Sequence, residues 1–369
     1  MVAAGAKGVG ALLIPRAYDR HLVHHRKYGV DHPADATPPD ASFQHDVKER
    51  YLPCQNRRFR SEPGRSIGCE RNGQESWLSM KLVVIIPTAD RKTHVNRLLK
   101  HIERQQRAPD EVVVSAPDAT HVEAYQAKNF TLLYVFGKKG SSAQRNQAIE
   151  RVLDHSDIVT FFDDDFLPAD NYLRLVSAAF ERHPELAVVM GHVVEDGSKA
   201  AGLSFEEGLA ALRSAEASCP TTPRIRDHVG AYGCNMSIRS RLIGDLRFDE
   251  RLVLYGWQED IDFTSQLRRR GRVVGFNTIV GVHLGLKAGR VSGVRFGYSQ
   301  IVNPIYLITK GTVPATFALN LMARNIAANL VRSFWPEPWI DRRGRLRGNL
   351  LAACHLMMGR IEPEYILKL

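Results

Sequence analysis

Cysteine is scarce in this chain and follows no pattern. Five residues (Cys54, Cys69, Cys219, Cys234 and Cys354) are spread over 369 positions. An odd number at wide spacing gives neither a disulfide framework nor a zinc-binding repeat, so a reducing, cytoplasmic compartment is the default. No run of about 18 uninterrupted apolar residues reads as a membrane span. The first residues lack the apolar stretch of a secretory signal. No internal repeat points to a solenoid or propeller. What is present is ordinary for a globular protein: 44% hydrophobic and 24% charged residues, with length for one large domain or two modest ones. The net charge of +10 is uneven, because residues 286–369 hold 12 Lys/Arg against 4 Asp/Glu. Such a basic region favours anionic surfaces: lipid headgroups, nucleic acid or polyphosphate.

Three segments differ in texture. Residues 1–79 are rich in Pro, Arg, His and Gly with little periodicity, which predicts a disordered or loosely structured extension. His24, His25 and His32 have no companion ligands at metal-binding spacing. Met80 then opens an abrupt strand, and we expect it to be the natural start. From there strand and helix alternate. Strands are predicted over 82–86, 111–115, 131–136, 157–162, 186–194, 233–238, 272–276 and 278–283. Helices are predicted around Val95–Ile102, from Ser141 (with Gln144 as a capping box), over 170–183 and over 258–270. This rhythm implies an α/β fold with a mainly parallel sheet flanked by helices, whose ligands bind beyond the carboxyl ends of the strands.

The chemistry concentrates at such an end. Asp163, Asp164 and Asp165 directly follow the apolar run 157–162. Three like charges at the tip of a buried strand are unfavourable unless something positive sits among them. A hard divalent cation, Mg²⁺ or Mn²⁺, is the natural candidate and usually brings phosphates with it. The plain alternative is a solvated acidic turn capping the helix after Pro168. A second acidic site, Glu259 and Asp260, falls at the first turn of a helix, where carboxylates are common. Gly256 and Trp257 precede it, and an exposed Trp beside a carboxylate suits a sugar ring. His283 ends an apolar strand, as a satisfied structural residue or as a ligand beside the triplet. Arg145 lies one turn into a helix opened by small residues. It is an ordinary surface Arg, a phosphate clamp, or a tie on the acidic groups.

The order of Val83-Val84-Ile85-Ile86-Pro87-Thr88, the Gly140–Asn146 segment, Phe162-Asp163-Asp164-Asp165, Gly256-Trp257-Gln258-Glu259-Asp260 and His283 resembles glycosyltransferase family 2, inverting enzymes of the GT-A (Rossmann-like) fold. The resemblance spans residues 81–285. It implies a GT-A domain over 80–285 and leaves 286–369 as a basic, helical C-terminal extension. It also implies that Thr88, Asp90 and Asp118 lie near the nucleotide and Arg145 near the donor. Asp163 and Asp164 would contact ribose or position the site, and Asp165 and His283 would ligate the metal. Asp260 would be the general base, with Glu259 beside it and Trp257 toward the acceptor. Two departures stand out: Ser115-Ala116-Pro117 precedes Asp118 where the family carries paired acids, and the first loop reads Thr88-Ala89-Asp90-Arg91.

The expected function is transfer of a sugar from a nucleotide-sugar to a saccharide or lipid-linked saccharide, as in bacterial surface polysaccharide assembly. Alternatives are a nucleotidyltransferase of similar architecture and a basic nucleic-acid-binding protein; the acidic centre argues against the latter. The C-terminal region reads two ways. Arg342, Arg343, Arg345 and Arg347 beside Leu350, Leu351, Cys354, Met357 and Met358 suit a membrane interface. They equally suit a helix packed on the main domain with solvated arginines.

Overall fold

The computed structural model describes residues 80–220, 222–287 and 292–369. The readings made on residues 1–79, including a start at Met80, lie outside the described residues. Nine strands form one sheet. They are β1 (Leu82–Pro87), β2 (Glu111–Ala116), β3 (Thr131–Phe136), β4 (Ile158–Phe162), β5 (Phe166–Pro168), β6 (Leu186–Asp196), β7 (Ile225–Asp227), β8 (Asn235–Arg239) and β9 (Arg272–His283). The helices in chain order are α1 (Lys92–Ile102), α2 (Ser141–Val152), α3 (Tyr172–Arg182), α4 (Phe205–Ala217), α5 (Glu259–Leu267), α6 (Gly293–Lys310), α7 (Ala315–Arg332) and α8 (Arg342–Met357).

Strand order is β3-β2-β1-β4-β8-β6-β9-β5, with β7 also on β9. The half from β3 to β4 is wholly parallel. Beyond it, β8 runs antiparallel between β4 and β6, and β6 and β9 are again parallel. The unbroken apolar sequence of β1 follows from burial on both faces. Leu82, Val84 and Ile86 meet Val95, Leu98, Leu99 and Ile102 of α1. Val83 and Ile85 meet Ala148, Ile149 and Val152 of α2. These five strand residues are fully buried, a gross hydrophobic stabilisation of about 10 kcal/mol.

Several expectations need correction. The two strands over 272–276 and 278–283 are one, β9, which absorbs irregularity through register shifts against β6. Helix α5 stops at Leu267, where the Gly271 amide bonds to the Leu267 carbonyl and closes a turn through the three arginines. Strands β5 and β7 and helix α4 are additions. The start of α4 is spelled out locally: Ser204 and Glu207 form a reciprocal capping box. At α2 the predicted box does not form. Gly140 is the N-cap, Gln144 Oε1 accepts from its amide at 3.2 Å, and the Ser141 hydroxyl turns away toward Glu259.

Candidate active site

The chain leaves β1 toward β2 on one side, while β4 lies on the other. Their parallel carboxyl ends therefore flank a switch point, the usual ligand crevice of such sheets. Register does the rest. Ile85 pairs with Phe161, so the segment after β1 meets the aspartate triplet after β4. Strand β5 then pairs antiparallel with β9, Phe166 opposite His283, which sets Asp165 beside residues 284–286. The Leu284 amide bonds to the Asp165 carbonyl and the Leu286 amide to its Oδ2, both at 2.8 Å.

Each aspartate of the triplet has a different nearest cation, and Arg91 reaches a second aspartate, Asp165, at 3.6 Å. Asp163 Oδ1 accepts from Arg145 Nη2 at 2.8 Å. Asp164 accepts from Arg91 Nη1 and from the Thr88 hydroxyl, each at 2.7 Å. Asp165 Oδ1 lies 3.3 Å from His283 Nε2. Asp164 and Asp165 are buried, so the solvated-turn alternative fails. Asp164 is taken up by Thr88 and Arg91 and holds the first loop against the triplet. His283 is itself oriented from behind: its Nδ1 lies 2.9 Å from Asp196 Oδ1 and 3.1 Å from the Tyr232 hydroxyl. Burial works against a charge on His283, but Asp165 and Asp196 raise its pKa to about 10. Burial would raise Asp165, yet His283 and Arg91 hold it at about 2. Burial prevails at Asp164, which rises to about 6 against the pull of Arg91.

The second acidic motif joins the first through one side chain. Arg145 is buried and donates to Asp163, to the Gly233 carbonyl at 3.3 Å and, through Nη1, to Glu259. The structure thus makes Arg145 a tie between carboxylates, not a surface residue. Glu259 also accepts from the Ser141 hydroxyl at 3.0 Å. Asp260 accepts two backbone amides, Gly233 at 2.7 Å and Ile261 at 2.8 Å. Burial pushes both Glu259 and Asp260 upward, with Arg145 opposing. Gly233 permits this approach: a Cβ there would lie 3.0 Å from Asp260 Oδ2 and 3.2 Å from Arg145 Nη2. The loop leading in is strained. Leu254 and Gln258 have φ of 62° and 76°, and Asp90 in the first loop has 62°. These are all the positive-φ non-glycine residues among the described ones, and they sit in the two loops that shape this cleft.

The remaining sequence candidates lie nearby in less committed surroundings. Asp90 and Asp118 are exposed, on the loops after β1 and β2, and converge on His121; Asp90 also meets Lys139 at 3.0 Å. Asp118 caps a short turn through the Thr120 amide. Trp257 is half-buried rather than exposed, because Phe296 of α6 covers its ring edge at 5.8 Å and Asn303 bonds its carbonyl at 2.7 Å.

Ligand chemistry fits a hard or borderline divalent cation. One ligand atom each from Asp163, Asp165 and His283 lie within 4.8 Å of one another. The sequence-level resemblance put only Asp165 and His283 in that role; the structure adds Asp163. Charge points the same way. Six carboxylates (Asp163, Asp164, Asp165, Asp196, Glu259 and Asp260) face four cations (Arg91, Arg145, His283 and, from the rim, Lys199 at 3.2 Å from Asp196), so two carboxylates remain in excess after the cleft's own pairing. Arg91, Asp196 and Tyr232 were missed in the sequence. Arg91 was findable, since it follows the same strand end as Thr88; Asp196 and Tyr232 depend on register.

Fold and site define an α/β protein with an acidic cleft at the carboxyl ends of its parallel strands. Residues 83–221 match the model of the family described as Glycosyl transferase family 2, so the resemblance read from the sequence is borne out over that span. No curated protein matches. Similar solved structures include S. aureus TarS, at 17% identity and TM-score 0.44 over 69% of this chain and 44% of that one. The chain thus spans less than half of that protein's length. A shorter TarS, residues 1–349 in complex with UDP-GlcNAc, is 13% identical with TM-score 0.45, covering 76% and 93%. The mannosyltransferase PcManGT from Pyrobaculum calidifontis, in complex with GDP-Man and Mn²⁺, is 16% identical with TM-score 0.41, covering 78% and 79%.

Proposed function

We propose that this protein is a metal-dependent inverting glycosyltransferase, with its catalytic domain in residues 80–285 and a basic helical region in 286–369. One observation carries the reading. Two acidic motifs nearly a hundred residues apart meet on a single buried guanidinium, Arg145, which bonds both Asp163 and Glu259. Asp163, Asp165 and His283 would hold Mn²⁺ or Mg²⁺. When bound, that ion supplies Lewis acidity to a departing nucleoside diphosphate. Thr88, Asp90 and Asp118 line the nucleotide side, and Asp164 holds the first loop through Thr88 and Arg91. Asp260 takes the proton of the acceptor hydroxyl. Its two backbone donors aim the carboxylate, and its burial keeps it basic enough to do so. Glu259 stays on Arg145 and fixes the guanidinium against Asp163. A half-buried Trp257 offers part of an apolar face to an acceptor sugar, free or lipid-linked, as in surface polysaccharide assembly. One in-line displacement at the anomeric carbon inverts it, and no covalent enzyme intermediate is needed.

The test is a panel of nucleotide-sugars with Mn²⁺, followed by nucleoside diphosphate release and by NMR of the anomeric product. Metal-dependent release with inversion supports the reading. A retained configuration, or no release from any donor with and without metal, overturns it.

A further inference from the structure

Helix α7 is poorly covered for an element of its composition. Of its 18 residues only Ala318 and Asn329 are buried. The exposed remainder is largely apolar: Leu319, Leu330 and Val331 are 44%, 49% and 60% exposed. The chain then enters a turn that displays Phe334 at 66%, Trp335 at 80% and Trp339 at 42%. Prolines at 336 and 338 between the two tryptophans stiffen this turn. Large aromatic residues are seldom left so open without a partner.

Charge says which partner. Helix α7 contains no Asp or Glu. The acid of the turn, Glu337, is taken up by Arg332 and Arg342. Arg324 on α7 and Arg343 and Arg347 on α8 are exposed and, among the described residues, have no carboxylate within 4.0 Å. A second copy of this chain would set an acid-free, arginine-bearing face against itself, which like charges oppose. An anionic bilayer offers the complement: headgroup phosphates for the arginines and an interfacial layer for tryptophan. No described helix is long and apolar enough to cross a membrane, so the geometry is that of a helix lying in the interface plane.

The mount is rigid. Asn329 of α7 donates to Gln300 of α6 at 2.7 Å and to Asn349 of α8 at 2.9 Å. Glycines at 297 and 348 let α6 and α8 cross so closely that a Cβ on either would strike the facing backbone. Helix α6 in turn covers Trp257 through Phe296 and Asn303. Helix α6 thus lies between α7 and the loop that carries Trp257 and leads into Glu259 and Asp260 at the start of α5.

We propose that the exposed face of α7 and the following aromatic turn, residues 315–339, dock this protein on an anionic lipid surface. The sequence pattern pointed instead to residues 342–358. In the structure α8 packs through Gly344, Gly348, Asn349, Ala352 and His355, while Arg343 and Arg347 and the apolar Leu350, Met357 and Met358 of that reading stay exposed and extend the same rim. The surface rests on the glycosyltransferase reading only for its purpose, which would be to bring a lipid-linked acceptor to the cleft. Its test is independent of sugar transfer.

The full chain is sedimented with vesicles of phosphatidylglycerol and phosphatidylcholine, and with phosphatidylcholine alone, at low and high salt. Binding to the anionic vesicles that weakens with salt is expected. The pair Trp335→Ser with Trp339→Ser should bind at least about ten-fold more weakly, and Arg324→Gln and Arg343→Gln about five-fold each. All these side chains are exposed, so circular dichroism melting should stay unchanged; should the tryptophan pair melt early, the arginine variants decide. Brominated lipid should quench tryptophan fluorescence in the wild type and not in the double variant. No sedimentation, undiminished binding by both sets of variants, or a dimer that the tryptophan pair abolishes would overturn the proposal. Vesicle binding without any sugar transfer would leave this surface standing and sink the enzymatic reading alone.

Discussion

Replacing Asp260 with asparagine tests the reading where it is most exposed to refutation. The change is nearly isosteric, so shape is preserved and chemistry is not. Both carboxylate oxygens accept backbone amides, from Gly233 and Ile261. An amide side chain has one acceptor oxygen, so one of those N–H groups must face an NH₂. Losing that partner in a buried setting costs about 1–3 kcal/mol of stability. Loss of proton abstraction should lower the chemical step by about 10² to 10⁴, equivalent to about 3–5 kcal/mol in the barrier. The two effects separate by measurement. Urea denaturation reads the first. Turnover of the best donor at saturation reads the second, with Mn²⁺-dependent nucleotide binding as the control. The acid limb of the wild-type rate profile should lie above the ordinary aspartate value of 3.8, because burial raises Asp260, and Asp260→Asn should remove that limb. Near-native turnover would mean that Asp260 is not the base. Loss of nucleotide binding in step with turnover would make it a structural brace.

The other expectations concern the ion site and the far side of α5. Asp165→Ala should abolish high-affinity Mn²⁺ binding in an EPR titration, and nucleotide binding should then no longer respond to metal; unchanged Mn²⁺ affinity would exclude it as a ligand. Asp196→Asn should weaken Mn²⁺ about 10- to 100-fold by freeing the His283 ring, with Asp196→Glu restoring part of the loss. A lowered melting temperature with unaltered Mn²⁺ affinity would reduce Asp196 to packing. Lys310→Met leaves the fully buried Asp262, which Lys310 contacts at 2.7 Å, with Thr312 alone, at a cost of about 2 kcal/mol after allowing for the partial exposure of the lysine. Burial works against the Lys310 charge, but Asp249 and Asp262 raise its pKa. Its contribution is therefore complete below about pH 10.4 and fades as pH climbs through the raised value. Urea midpoints of wild type and variant should differ by a constant amount near neutrality and converge in strong alkali; a gap that persists there refutes the ion pair.

What the sequence yielded and what it withheld divide along a physical line. The body of β1 and β4 was legible because a strand buried on both faces must be an unbroken apolar run, and that is a local property; β3, a half-buried edge strand, was legible from its β-branched and aromatic composition. The triplet was legible because three acids beside such a run have no ordinary explanation. Asp196 was not, since nothing near it in the chain marks it. It matters because β6 pairs with β9 and sets Asp196 opposite His283, and register is a property of two strands at once. The capping reading of Ser141 failed for a related reason: its hydroxyl had a better partner in Glu259, more than a hundred residues on. Trp257 lost its exposure to Phe296 on a helix whose position no local pattern announces. Arg91 lies between these cases. Neighbouring parallel strands bring their carboxyl ends together, so a cation directly after β1 is placed within reach of the acids after β4. Reading one further step, from strand order to strand ends, would have found it. It would also have shown that the triplet's charge is met one for one by the protein's own cations. The case for a metal rests instead on the converging ligands and on the acidic excess that Glu259 and Asp260 add.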